Sequence, residues 1–350
     1  MTYTIFRESD VQIAWRPESK AGGFRDQNGN STLDETNPGT GTWYYFPIKN
    51  EGNNIMIKRA KRTITRLGGG SRYTSRIHRG TQEDITFSLS GKMLSDVLLY
   101  YNLDGCTTTE NTPTSYNTHV FTLSTETITY PPASIEVIIK LPNQGDASDT
   151  ILLFTGVIVK PIRFGGALNG EIECTIDFEA AREITGTDLN TWPSLPSERI
   201  FCFNDATLTL TKGGTALNVK MESFQVEYNP IGKKLLKGDG DLYPCEPVAP
   251  SRVEFNFTAQ LRLREDIIAN LRLDPQAANN LDFKIKLSRN DTNDYIEPSW
   301  VDGYMELDGD PAWNDGYLIY PVKGYYNPEE AGGDFVHTSV NSYNNDRYET

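Results

Sequence analysis

Residues 83–104 and 253–274 align without a gap at a spacing of 170, and this internal echo most constrains what the chain can fold into. Phe87 falls on Phe257, Asp96 on Asp266, Leu103 on Leu273 and Asp104 on Asp274. Four identities in 22 positions carry little weight alone. The apolar pattern carries more: Ile85 with Phe255, Met93 with Leu263, Val97 with Ile267 and Leu98 with Ile268 repeat a strand that runs into a helix ending at Leu-Asp. The flanks agree. Residues 217–228 alternate like a strand and break into a loop at 229–250, as the first half breaks at 67–81, and 281–287 stands where 135–141 stands, both closing on Ile-Lys-Leu. A length of 350 residues suits two domains, so the expectation is a mostly β chain arranged as two tandem copies with one short helix per copy.

The boundaries follow from the punctuation. The first domain spans 1–190 and carries a long polar loop at 16–42; the stretch 185–198, with Gly186, Pro193 and Pro196 and few apolar residues, marks a linker set at 191–199; the second domain spans 200–327; and 328–350 is a polar C-terminal tail held only if a neighbour holds it. Period-two patterning predicts strands at 42–48, 55–67, from Asp84 onward, 134–141, 151–159 and 171–178, with 142–149 and 164–170 as turns. Met93, Val97, Leu98 and Tyr101 recur at helical spacing, which predicts a helix over 92–103 with Ser90 as cap and Gly105 as stop.

Composition narrows the function. No stretch reaches the roughly 18 apolar residues that cross a bilayer, and the first 15 residues lack the basic-then-apolar pattern of an export signal, so no membrane partner is expected. A net charge of −14 disfavours tight nucleic-acid binding through counterion release. Cys106, Cys174, Cys202 and Cys245 form no paired metal-finger spacing; reduced thiols are expected, with Cys174 a buried small hydrophobe.

Catalytic signatures are missing. His78, His119 and His337 stand in separate segments with no carboxylate or cysteine at ligand spacing, and Gly68, Gly69 and Gly70 lead into a strand without a Lys-Ser or Lys-Thr ending. No enzyme and no cofactor are expected. Asp26, Asn28, Asn30 and Asp34 have the alternate spacing of an oxygen-ligand calcium loop, yet Ser31 stands where the turn needs Gly and Asn37 where a bidentate Glu belongs, so a plain polar loop is the preferred reading. Asp302, Glu306, Asp308 and Asp310 read as a solvated acidic loop. Lys58, Arg59, Lys61, Arg62, Arg66, Arg72, Arg76 and Arg79 form the one basic stretch of an acidic chain; with Tyr73 nearly alone among them, pairing with an acidic surface on a neighbouring subunit is favoured over DNA contact.

Paired strands, a long loop, a strand into one short helix and further strands, the whole arranged twice, resemble the tail tube (major tail) proteins of long-tailed viruses. The run from Arg79 through Met93 and the helix after it carry the likeness, which covers 42–180 and 200–325 as a pattern. The resemblance implies two tandem tube-type β-sandwich or barrel domains whose edges join into a ring, three chains to a pseudo-sixfold ring, and rings stacked into the tube that viral DNA passes through. Its further implications are partners limited to the chain itself, other tail proteins and transient double-stranded DNA, synthesis in the host cytoplasm and residence in the virion tail. Inter-ring contact would then fall to Gly68, Gly69, Gly70, Arg72, Arg76 and Arg79 in one loop and to Lys233, Lys234, Lys237, Asp239 and Asp241 in the other. The rival expectation is a baseplate or surface adhesion module that binds a host ligand through 16–42.

Overall fold

Antiparallel strands build the chain, as its period-two patterning demands. The computed structural model describes residues 11–18, 42–49, 55–61, 83–103, 107–109, 116–122, 134–141, 148–194, 196–236, 246–248, 250–262, 279–290, 293–314, 316–325 and 335–342. The first half holds β1 (Gln12–Pro17), β2 (Tyr44–Tyr45), β3 (Ile48–Lys49), β4 (Ile55–Lys61), β5 (Glu83–Met93), the helix α1 (Leu99–Leu103), β6 (Thr107–Thr109), β7 (Asn117–Thr122), β8 (Ile135–Leu141), β9 (Thr150–Ala167) and β10 (Glu173–Thr185). After a 3-10 turn at Phe203–Asp205 come β11 (Ala206–Lys212), β12 (Thr215–Leu217), β13 (Met221–Ile231), β14 (Lys234–Leu236), β15 (Glu246–Val248) and β16 (Arg252–Arg262). The chain ends with β17 (Asn279–Asn290), β18 (Asp294–Leu307), β19 (Ala312–Asn314), β20 (Tyr317–Tyr325) and β21 (Phe335–Asn341).

The order of pairing recurs. In the first half the neighbours run β4-β5-β10-β9-β8-β1-β2. In the second they run β13-β16-β20-β18-β17-β11-β12. Register recurs with it: Phe87 lies between Ile57 and Phe178, and Phe257, 170 residues on, lies between Val226 and Gly324. Two strands that are continuous in the first half are divided in the second. The counterpart of β9 is β18 and β19, parted at Gly309 with its φ of +121°. The counterpart of β10 is β20 and β21, which both pair with β18.

The halves are not separate bodies. The last residues of β9, 162–167, pair with 223–228 of β13, and β7 pairs with β21, so nineteen of the described strands form one hydrogen-bonded network. One apolar cluster spans both halves. Phe87 stacks on Phe178 at 4.8 Å and Phe283 on Trp300 at 3.6 Å, while Phe164 and Tyr228 meet across the seam at 6.3 Å.

Five expectations need correction. The helix is only Leu99–Leu103, because β5 keeps its ladder with β10 to Lys92 and the amides of Leu94 and Ser95 then bond to the Pro47 carbonyl. The Ser95 hydroxyl, not Ser90, accepts an amide at the helix entrance, from Val97. Residues 164–167, read as a turn, are strand. Arg16 and Glu18, read as loop, are both 6% exposed beside β8 and β9. Finally, 335–341, read as tail, is the strand β21 with Phe335, His337 and Val340 buried, since β18 and β7 supply partners on both its edges. The Cys174 thiol is buried as expected, and burial together with the nearby Asp96 pushes its pKa up. The helix that the 170-residue echo of 92–103 implies in the second half falls, beyond Arg262 of β16, outside the described residues.

Candidate assembly interface

The seam between β9 and β13 shows how one half of this chain binds the other. Strand pairing needs close backbone approach, and Gly165 provides it: a Cβ there would stand 2.2 Å from the Phe224 carbonyl oxygen. Next to it Arg163 on β9 donates through Nε to Glu227 on β13 at 2.7 Å and through Nη1 to Asp177 on β10 at 2.9 Å. Burial works against the charged guanidinium, but the bonds to Glu227 and Asp177 outweigh it and raise its pKa. Asn256 completes the set by donating to Glu227 at 3.4 Å.

Behind the seam, Tyr228 Oη stands 2.6 Å from His337 Nδ1, and His337 Nε2 stands 2.6 Å from Asp96 Oδ2. Ser339 donates to Asp96 Oδ1 at 2.8 Å. An ionised carboxylate only accepts, so Nε2 donates to Asp96, while Nδ1 and the Tyr228 hydroxyl share the second hydrogen bond. Burial, and then the Asp96 charge, raise the Tyr228 pKa. The three side chains lie in the core, His337 and Tyr228 fully buried and Asp96 7% exposed. They tie the start of the first-half helix to two strands of the second half.

A third contact folds back over α1. Lys233 is 1% exposed and donates to the Tyr101 carbonyl at 2.5 Å, at the C-terminal turn of α1 where orphan carbonyls collect. Leu235 packs on Ile158 and Ala181, and its amide bonds to Glu179 at 3.3 Å. The hairpin β14–β15 is thus rooted on the first half.

The face turned away from the core carries mixed charge that is tied up locally. Lys92 pairs with Glu173 and Glu171 at 3.0 and 3.4 Å, Lys160 with Glu179 at 3.5 Å, and Arg262 with Glu222. A shallow groove of about 590 Å³ runs over the seam between Lys92, Arg163, Glu171 and Gln225. Among the described residues no group of three or more His, Cys, Asp or Glu side chains is placed to hold a metal.

Of the residues singled out from sequence, the structure places Lys233 in the first-half contact and Lys234 on the exposed face of the hairpin. Lys58, Arg59 and Lys61 lie on β4, and Asp308 and Asp310 are exposed between β18 and β19. Gly68, Gly69, Gly70, Arg72, Arg76, Arg79, Lys237, Asp239, Asp241 and the calcium candidates Asp26, Asn28, Asn30 and Asp34 lie outside the described residues. Sequence reasoning missed Arg163, Gly165, Glu227 and His337. The paired glycines at 165–166 were the available signal, because glycine inside a strand marks close backbone approach as readily as a turn. Comparison with known proteins finds no family model that matches the chain and no curated protein that matches it.

Proposed function

We propose that this chain is a structural subunit that joins edge to edge with its own copies into rings, three chains to a pseudo-sixfold ring, stacked as the tail tube of a long-tailed virus. The observation that carries the reading is the seam: strand 162–167 of the first half pairs with strand 223–228 of the second, within a strand order that occurs twice. Two units already joined head to tail in one chain repeat a heterologous contact, and such a contact closes into a ring when its rotation divides the circle. The mixed charge of the open face supports a lumen role, since cations already held by carboxylates give a passing phosphate backbone little to grip. Other tail proteins would be its further partners and DNA a transient one.

Negative-stain electron microscopy of the purified chain over a concentration series, with sedimentation velocity alongside, tests this. Hollow rings or tubes with three chains per ring are expected. A compact monomer at every concentration overturns the proposal.

A further inference from the structure

We infer that the joint between chains is the charge-reversed twin of the joint within the chain: Lys58 on β4 of one copy meets Asp308 beside β19 of the next. This inference rests on the ring reading above and names the residues that would close it.

The correspondence comes from registers. Thr86 and Asn256 are equivalent by the 170-residue spacing; Lys58 lies opposite Thr86 and Glu227 opposite Asn256, so Lys58 holds the position of Glu227. Likewise Ser90 and Gln260 are equivalent, and they lie opposite Thr175 and Pro321. Arg163 faces Thr175, while the Asp308 amide donates to the Pro321 carbonyl at 2.9 Å, so Asp308 holds the position of Arg163. Where the internal seam has Arg163 against Glu227 at 2.7 Å, the outer pair of edges has aspartate against lysine.

Each of the two outer strands offers an edge that no described strand occupies. Among the described residues β4 pairs with β5 alone and β19 with β20 alone. The β19 edge also exposes the most accessible large apolar side chain of the described residues, Trp313 at 76%. Trp313 faces Leu318 and so holds the position of Gly166, whose seam partner Phe224 corresponds to Ile55 on β4. An arriving β4 would thus bring the Ile55 position into register with Trp313, on an edge whose indole is exposed.

The reversal also sorts the joints. Offered the β9 edge of another chain, β4 would set Lys58 against Arg163; offered the β19 edge, β13 would set Glu227 against Asp308. Each wrong pairing opposes like charges, which disfavours strand exchange between chains and fixes the order of units around the ring.

Charge-swap variants of the full chain test the pair: Lys58→Glu, Asp308→Lys and the double variant, followed by sedimentation velocity and electron microscopy, with far-ultraviolet circular dichroism to verify the fold. Each single variant should raise the concentration for half-assembly about tenfold or more, and the double variant should restore assembly. Single variants that assemble like the parent, or a double variant no better than the singles, overturn the inference and leave the ring intact. A parent chain that never assembles overturns both.

Discussion

Arg163 and Glu227 meet 2.7 Å apart across the seam that joins the two halves, sixty-four residues apart in sequence and on adjacent strands in space. Their contact marks where backbone pairing, glycine-limited approach and charge coincide.

Gly165→Val should destabilise the chain by about 2–4 kcal/mol, because the new side chain meets the Phe224 carbonyl in a strand pair that cannot separate without losing its ladder. Urea unfolding measures it. Gly214, with open space around its Cβ and φ of +78°, is the control, and Gly214→Ala should cost about 1 kcal/mol.

The Tyr228–His337–Asp96 set should behave as one unit. Asp96→Ala leaves His337 and Ser339 without their acceptor and should cost about 3 kcal/mol, whereas Tyr228→Phe removes one hydroxyl and should cost about 1 kcal/mol. A double-mutant cycle in denaturant should find the two effects less than additive.

Glu18 makes stability depend on pH. Burial, then the neighbouring Glu136, raise its pKa from 4.5 to about 8, against the hydrogen bonds that Ser134 and the Gly156 amide donate to it. A raised carboxyl binds its proton more tightly in the folded chain, so unfolding releases a proton between these two values. Its contribution is therefore full below pH 4.5, declines as pH rises toward 8 and is constant above. Glu18→Gln should remove that slope and stabilise the chain at pH 8 by roughly 2–4 kcal/mol relative to the parent. Chemical denaturation of both proteins at pH 5 and pH 8 measures the difference.

Leu235→Ala should loosen the hairpin from the first half at a cost of about 2–3 kcal/mol, through the cavity left between Ile158 and Ala181. Hydrogen exchange should show the β14–β15 amides losing protection before those of β9, because the hairpin depends on this contact while β9 is paired along both edges.

A mixture of Lys58→Glu and Asp308→Lys chains tests the ring count. Opposite charges face one another only when the two variants alternate, and an odd ring cannot alternate all the way round. Mixed samples should therefore associate yet fail to close three-chain rings, which electron microscopy reads directly.

Much of the fold was legible. Ile85, Phe87 and Leu89 alternate along β5 because one face of the sheet is buried, and the 170-residue echo follows the recurrence of strand order. Where reading stopped short, a distant segment supplied what the local sequence lacked. Phe164-Gly-Gly-Ala reads as a turn until β13 lies against it. Arg16 and Glu18 look solvated until Glu136, Ser134 and the Gly156 amide satisfy them. The polar run containing His337 looks like a tail until Asp96 and Tyr228 meet the ring.

Side-chain periodicity by itself determined that the chain is β and which strand residues turn inward, because burial on one side of a pleated strand leaves a mark every second residue. Only the tertiary structure decided which edges join: every backbone amide and carbonyl is chemically alike, so a strand's partner is fixed by the packing, glycines and charges that a remote segment brings to it.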